Sequence, residues 1–287
     1  MYAITGITGQ VGGVAGRALL DAGLSVRAVV RDAAKGAAWK ERGCEVSLAD
    51  MNDAGALAAA FTGVEGVFVL IPPIFDPTPG FPEIRATIAA LTTAILAAQP
   101  PKVVCLSTIG AQATQPNLLN QLGLVEQALG VLPVPVCFLR AAWFMENAVW
   151  DVAPARDTGV VPGFLQPLDK TVPMVATADI GHLAAILLQE AWTGRRVVEL
   201  EGPRRITPNE IAATFSKILG RPARMEAVPR ESWEGLFAAQ GTKNPLPRAQ
   251  MLDGFNEGWI EFEAGERGSR KGQTEMETVL RRLLARG

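Results

Sequence analysis

The chain contains one tyrosine, Tyr2, and one histidine, His182. A histidine cluster is therefore excluded, and the spacing of Cys44, Cys105 and Cys137 offers no metal site. Those three thiols are odd in number, and Cys105 and Cys137 lie in apolar, strand-like runs. Unpaired, buried thiols of this kind point to a reducing, cytoplasmic setting. Neither charge is in excess, with 27 Lys and Arg against 29 Asp and Glu and a net charge of −2. That balance leaves no electrostatic footprint for nucleic acid. No uncharged apolar run reaches about 18 residues, so no membrane span is expected. The first residues do not read as a signal peptide, because an apolar strand pattern begins at Tyr2.

What is present is a globular pattern. Hydrophobic residues make up 48% of the 287, and charged residues 20%, enough for a sizeable core in one large or two modest domains. Strand patterns at 2–5, 26–30, 45–49, 66–71, 103–107 and 134–139 alternate with helical ones at 14–22, 35–42, 53–61, 83–98 and 117–129. Most of these strands are apolar on both faces, which suits a parallel sheet covered by helices on both sides. Beyond about residue 148 proline and glycine become frequent and the pattern mixed. The fold class is therefore α/β: a doubly wound parallel-sheet Rossmann domain over 1–150, with a smaller mixed C-terminal lobe over 151–287. The amphipathic helix at 179–192 is expected to pack back on the sheet. In the lobe, Thr207-Pro208-Asn209-Glu210 forms a capping box that opens a helix stopped by Gly220.

The first strand runs straight into Gly6, Gly9 and Gly12, and a helix follows. A dinucleotide pyrophosphate needs that order of elements. Gly6 suits a tight turn, Gly9 lets backbone approach the phosphates, and Gly12 lets the helix pack closely on the strand. A plain left-handed turn is the competing reading, and the flanking strand and helix favour the nucleotide.

The residue after the second strand separates NAD from NADP. Arg31 stands there and Lys35 follows one helical turn later. Two cations favour a 2′-phosphate, hence NADP (NADPH) over NAD, because Arg grips phosphate with a planar fork. Asp32 is the competing feature, since a carboxylate at that position would bond the ribose of NAD. Asp50 and Met51, after the third strand, are candidates for the adenine; a helix cap is the alternative for Asp50. Ile71 and Pro72 should back the nicotinamide. Ser107 and Thr108 can donate to the nicotinamide amide or to a substrate oxygen, or cap the next loop. Trp143, Phe144 and Asn147, after the sixth strand, are substrate-site candidates. Phe75 and Phe81 lie in a proline-rich stretch that can form a lid, Glu146 can hold a helix end, and His182 reads as a helix cap before it reads as an acid.

Several of these segments together resemble the NmrA-like branch of the atypical short-chain dehydrogenase/reductases. They are Thr5-Gly6-Ile7-Thr8-Gly9-Gln10-Val11-Gly12, Arg31-Asp32-Ala33-Ala34-Lys35, Asp50-Met51, the run from Phe68 to Pro73, and Leu106-Ser107-Thr108-Ile109-Gly110. The run from Leu139 to Asn147 and Ala178-Asp179-Ile180-Gly181 complete the set. The resemblance covers residues 1–220 and is looser beyond. Ile7 stands where the family usually has Ala, and Ala141 where it has Pro, changes that touch packing more than cofactor chemistry. The resemblance implies a Rossmann domain that binds NAD(P) through the glycine turn, including Thr8, Gln10 and Val11. It implies one of two activities: NADPH-dependent reduction of quinones or related phenolics, or redox sensing through a partner protein without turnover.

Short-chain reductases mostly use a Tyr hydroxyl as proton donor, with a Lys four residues later. Here the one Tyr belongs to the first strand, and no Lys occurs between Lys102 and Lys170. A simple ketone would become an alkoxide, with a conjugate-acid pKa like that of water, about 15.7. A quinone yields a phenol-like product at about 10, a difference of roughly 6 pKa units or about 8 kcal/mol. A quinone-like or otherwise conjugated acceptor can thus take hydride with little protonic help. The expected partner is a small molecule of aromatic or quinone type; the expected protein is a monomer or homodimer. A sugar-nucleotide enzyme is disfavoured, because its chemistry removes a hydroxyl proton.

Overall fold

In a computed structural model of the chain, which describes residues 1–286, apolar strands and amphipathic helices alternate through the first half. They are β1 (Tyr2–Thr5), α1 (Gln10–Asp21), β2 (Val26–Val30), α2 (Ala33–Glu41), β3 (Glu45–Leu48) and α3 (Ala54–Phe61). Then come β4 (Gly66–Val69), α4 (Pro82–Ala98), β5 (Val103–Thr108), α5 (Asn120–Leu129) and β6 (Val136–Ala141). The second half holds β7 (Trp143–Phe144), α6 (Val149–Asp157), β8 (Val160–Gly163), β9 (Met174–Val175), α7 (Thr177–Gln189) and β10 (Arg195–Glu201). It continues with α8 (Pro208–Leu219), β11 (Arg224–Ala227), α9 (Trp233–Ala239), α10 (Leu246–Glu257), α11 (Gly265–Gly268), β12 (Arg270–Lys271) and α12 (Met276–Leu284).

The main sheet has eight strands in the order β12-β10-β6-β5-β4-β1-β2-β3. Its first six strands follow the doubly wound order, with β1 between β2 and β4. Tyr2 pairs with Val26 on one side and Gly66 on the other, both in parallel register. All four residues of β1, all four of β4 and all six of β6 are buried, as expected of a sheet with both faces covered.

The chain divides into two compact units that alternate in sequence. The first comprises 1–111, 121–140 and 180–198; the second comprises 112–120, 141–179 and 199–287. The expected boundary at residue 150 falls inside α6 and inside the second unit. Most of α7 belongs to the first unit, as does the start of β10. The first unit has a core of Val67, Val69, Val103, Cys105 and Phe138 from the strands, with Leu57, Phe61, Leu91, Ile95 and Leu129 from the helices.

Several boundaries differ from the sequence pattern. α1 starts at Gln10, because Gly12, which belongs to the turn motif, is already helical. α6 lies in the proline- and glycine-rich stretch beyond residue 148, and it accommodates Pro154 inside the helix. α10 went unrecognised; it carries Pro247 near its start, where a missing N–H costs little. The capping box holds: Thr207 Oγ1 accepts from Glu210 N at 3.1 Å, and Glu210 Oε2 accepts from Thr207 N at 2.7 Å.

Candidate functional site

The glycine turn occupies the carboxyl end of β1. Gly6 takes a left-handed φ of 63°, and Gly9 N donates to Gly6 O at 2.9 Å. Gly9 is the N-cap residue of α1 and is exposed together with Thr8 and Gln10. Gly12 is where helix and turn come closest: a Cβ there would lie 2.4 Å from Gly6 O. The first turn of α1 carries no acidic residue, so nothing of the helix's own neutralises its N–H groups and positive dipole end. Val11 is buried and Gly12 with it, which fixes the helix on the strand. Thr5 ties this turn to the end of β4. Its Oγ1 accepts from Leu70 N at 2.7 Å, beyond the last ladder pair of β1 and β4.

Beyond β2, the side chains of Arg31 and Lys35 are exposed and line a hollow of about 250 Å³ with Thr8, Val30 and Asp32. Neither Arg31 nor Lys35 makes a hydrogen bond or ion pair among the described residues. Asp32, the competing feature, is the N-cap of α2, and its Oδ1 accepts from Ala34 N at 2.8 Å. The hollow thus presents two uncommitted cations and one carboxylate already occupied by a helix end, a donor set that fits a phosphate.

Asp50 and Met51 follow β3. Asp50 is exposed and accepts from Asn52 N at 2.9 Å, while the cap of α3 is Asp53, which accepts from Ala56 N at 2.9 Å. The alternative of a helix cap at Asp50 is corrected accordingly. Met51 is half-buried against the hydrophobic core, as is Ile71 after β4; Pro72 is exposed. Phe81, one of the two lid candidates, also packs on that core and caps α4 with a φ of 58°. It thereby anchors its loop. Phe75 is 63% exposed.

Ser107 ends up in a different role from the one expected. Its Oγ donates to Glu126 Oε1 at 2.6 Å. Glu126 in turn holds Arg140 bidentately, with Nε at 2.9 Å and Nη2 at 2.7 Å. All three are buried, with 4%, 3% and 2% of their surface exposed. Because its only hydroxyl proton is taken, Ser107 cannot donate to a ligand; it can only accept. Thr108 Oγ1 donates to Ile109 O at 3.1 Å and so serves the turn. The sequence reading missed Glu126 and the pairing of Arg140. The available signal was Arg140, the one charge in the otherwise apolar strand segment CFLRA, which must meet a partner if buried.

The substrate candidates belong to the second unit. Trp143 is half-buried and meets Phe255 edge-on, with ring centroids 5.3 Å apart. Phe144 is half-buried in β7, which pairs with β9, and Asn147 is exposed in the short turn before α6. Glu146 holds a helix end as expected, accepting from Thr177 N at 3.0 Å and from Thr177 Oγ1 at 2.7 Å. His182 is exposed beyond the first turn of α7 and caps nothing, which corrects its expected role. Tyr2 is buried at the start of β1, the strand end opposite the glycine turn, and its hydroxyl faces Glu65 at 3.5 Å. Burial and the Glu65 carboxylate raise its pKa. It cannot replace the missing proton donor.

A doubly wound parallel sheet whose first strand feeds a glycine turn and a helix N-terminus defines a Rossmann-type nucleotide-binding protein. More narrowly, the chain belongs to the NmrA-like family, whose model matches residues 2–261. It is 29% identical over 251 residues to an NAD(P)H azoreductase of Xenophilus azovorans, covering 87% of this chain and 84% of that one. It is 33% identical over 255 residues to a (4-alkanoyl-5-oxo-2,5-dihydrofuran-3-yl)methyl phosphate reductase of Streptomyces griseus, covering 88% and 84%. In fold it matches an NADPH-dependent quinone oxidoreductase of Escherichia coli, solved with NADPH, at a TM-score of 0.82, with 24% identity and 99% of both chains covered. No helix among the described residues is long and apolar enough to cross a membrane.

Proposed function

We propose that this chain is an NADPH-dependent reductase that passes hydride to a quinone-like or otherwise conjugated small molecule, without a Tyr/Lys acid pair. The observation that carries the reading is the pair of unpartnered cations, Arg31 and Lys35, beside a glycine turn at the head of a helix. Bound NADPH supplies the hydride. The N-terminus of α1 would hold the pyrophosphate, with Gly9 leaving room for it. Arg31 and Lys35 would hold the 2′-phosphate, Asp50 and Met51 the adenine, and Ile71 and Pro72 would back the nicotinamide. Ser107, with its proton committed to Glu126, would accept from an amide N–H. Trp143, Phe144 and Asn147 would meet the acceptor and keep water from it.

No side chain among these is a strong proton donor near neutrality, and a conjugated acceptor needs none. Reduction leaves a phenolate-like anion, which solvent can protonate. The relatives reported above carry reductase names, which supports turnover over the sensing alternative. Three buried thiols, none of them in a disulfide, support a cytoplasmic setting.

The test is NADPH oxidation against a panel of quinones and azo dyes, repeated with NADH. We expect turnover with at least one acceptor and a preference for NADPH. Arg31→Ala should weaken NADPH binding about tenfold, the worth of one charge-assisted phosphate contact of about 1.4 kcal/mol, and leave NADH unaffected. Absence of turnover with every acceptor would sink the reading.

A further inference from the structure

Two arginines in the second unit lie over the rings of one aromatic cluster. Phe164 stands 5.7 Å from Trp233 and 5.5 Å from Phe237, centroid to centroid. Arg230 lies 4.9 Å over the Trp233 ring, and Arg248 lies 4.1 Å over Phe237. Their charges are met differently. Asp253 grips Arg230 with two bonds, 2.6 Å to Nε and 2.7 Å to Nη2. Arg248 has no hydrogen bond or ion pair among the described residues. Residues 235–252 contain no Asp or Glu at all.

Arg248 is nevertheless half-buried, and burial pulls its pKa below the ordinary value. A guanidinium taken out of water loses hydration that a counter-ion normally returns. The face of Phe237 returns part of it through a cation–π contact. No group among the described residues meets the N–H groups along the guanidinium edge.

α10 connects this cation to the substrate candidates. Phe255 follows Arg248 by two helical turns on the same face of α10, about 10 Å along the axis. Trp143 packs edge-on against that Phe255. One helix face thus carries both the support of an expected substrate wall and an unanswered, partly desolvated cation.

We propose that Arg248 is a specificity residue that receives an anionic substituent, a sulfonate or carboxylate, on the conjugated acceptor. The inference rests on the reductase reading above. A guanidinium fork suits such planar or trigonal oxyanions, and the ring below it fixes its orientation.

The experiment compares 1,2-naphthoquinone-4-sulfonate with 1,2-naphthoquinone in the wild type, Arg248→Gln and Arg248→Lys, after circular dichroism has established folding. Arg248→Gln should lower kcat/KM for the sulfonate at least tenfold, leave the neutral quinone within twofold, and leave the NADPH Kd unchanged. Arg248→Lys should recover part of the loss. An equal effect on both quinones, or none on either, overturns the assignment. If neither quinone is reduced, the reductase reading loses its support, and equilibrium binding of redox-inert naphthalene-2-sulfonate decides Arg248 separately. Binding that weakens tenfold in Arg248→Gln upholds the anion site; unchanged or absent binding overturns it.

Discussion

Replacing Arg140 with leucine should be among the most damaging single changes in the first unit. Glu126 would keep its charge at 3% exposure and lose two bonds of 2.9 and 2.7 Å. Removing one partner of such a buried pair costs about 3–5 kcal/mol. Two groups soften the loss. Ser107 still donates at 2.6 Å, and Arg195 Nη2 lies 3.4 Å from Oε2, although its side chain is half-exposed. We therefore expect about 3 kcal/mol, and a similar figure for Glu126→Leu, which takes the carboxylate away from the buried Arg140 guanidinium. At about 2–4 °C per kcal/mol, Tm should fall by roughly 6–12 °C. The double variant Arg140→Leu/Glu126→Leu removes both charges and takes away only a neutral hydroxyl's acceptor, that of Ser107. Its cost should therefore be smaller than the sum of the singles by several kcal/mol. Guanidinium unfolding followed by circular dichroism measures all three. Additive losses, or singles within 1 kcal/mol of wild type, would refute the claim that this pair is a coupled, buried unit. The functional consequence follows from place: the pair joins α5 and β6 to Ser107 near the carboxyl end of β5, so its loss should also raise the KM for NADPH.

Two further outcomes follow from geometry and burial. Gly12→Ala places a methyl 2.4 Å from Gly6 O; overpacking there should cost about 1–3 kcal/mol and abolish tight NADPH binding, and a folded variant with wild-type Kd would contradict the assigned close approach. Asp151, half-buried in the first turn of α6 with no hydrogen bond or ion pair among the described residues, has its carboxyl pushed up by burial to about 7 from an ordinary 3.8. Above its unfolded value the unfolded chain ionises while the fold still holds the proton, so stability falls as pH rises toward 7 and the penalty is complete above it. Full burial would make that gap worth about 4 kcal/mol; partial solvation reduces the expectation to about 2. Asp151→Asn should therefore stabilise the protein at pH 8 and have little effect at pH 4, as read by denaturant midpoints; equal effects at both would count against the shift.

Local patterns carried much of this protein. The run 26–30 reads as a strand and is β2, because β-branched residues on both faces suit a buried parallel strand. Gly6 and Gly12 announce the turn because their backbone tolerances are intrinsic to glycine. Arg31 and Lys35 are legible because they stand four residues apart, one just before the N-cap of α2 and one in its first turn. Helices α6 and α10 were not legible, since neither shows a clear apolar stripe and each contains proline.

The fold class, the glycine turn and the absence of a Tyr/Lys donor pair were thus determined by sequence alone, because each depends on residues adjacent in the chain or on composition. The direction of the Ser107 hydroxyl, the cap at Asp32 and the unanswered charge of Arg248 were decided only by tertiary structure. Each depends on which distant group comes within hydrogen-bond reach. Glu126 accepts the hydrogen bond of the Ser107 hydroxyl, Ala34 N–H donates to Asp32, and no carboxylate reaches Arg248 among the described residues. Side-chain chemistry can be read from a sequence, but how many of its bonding positions remain available depends on packing.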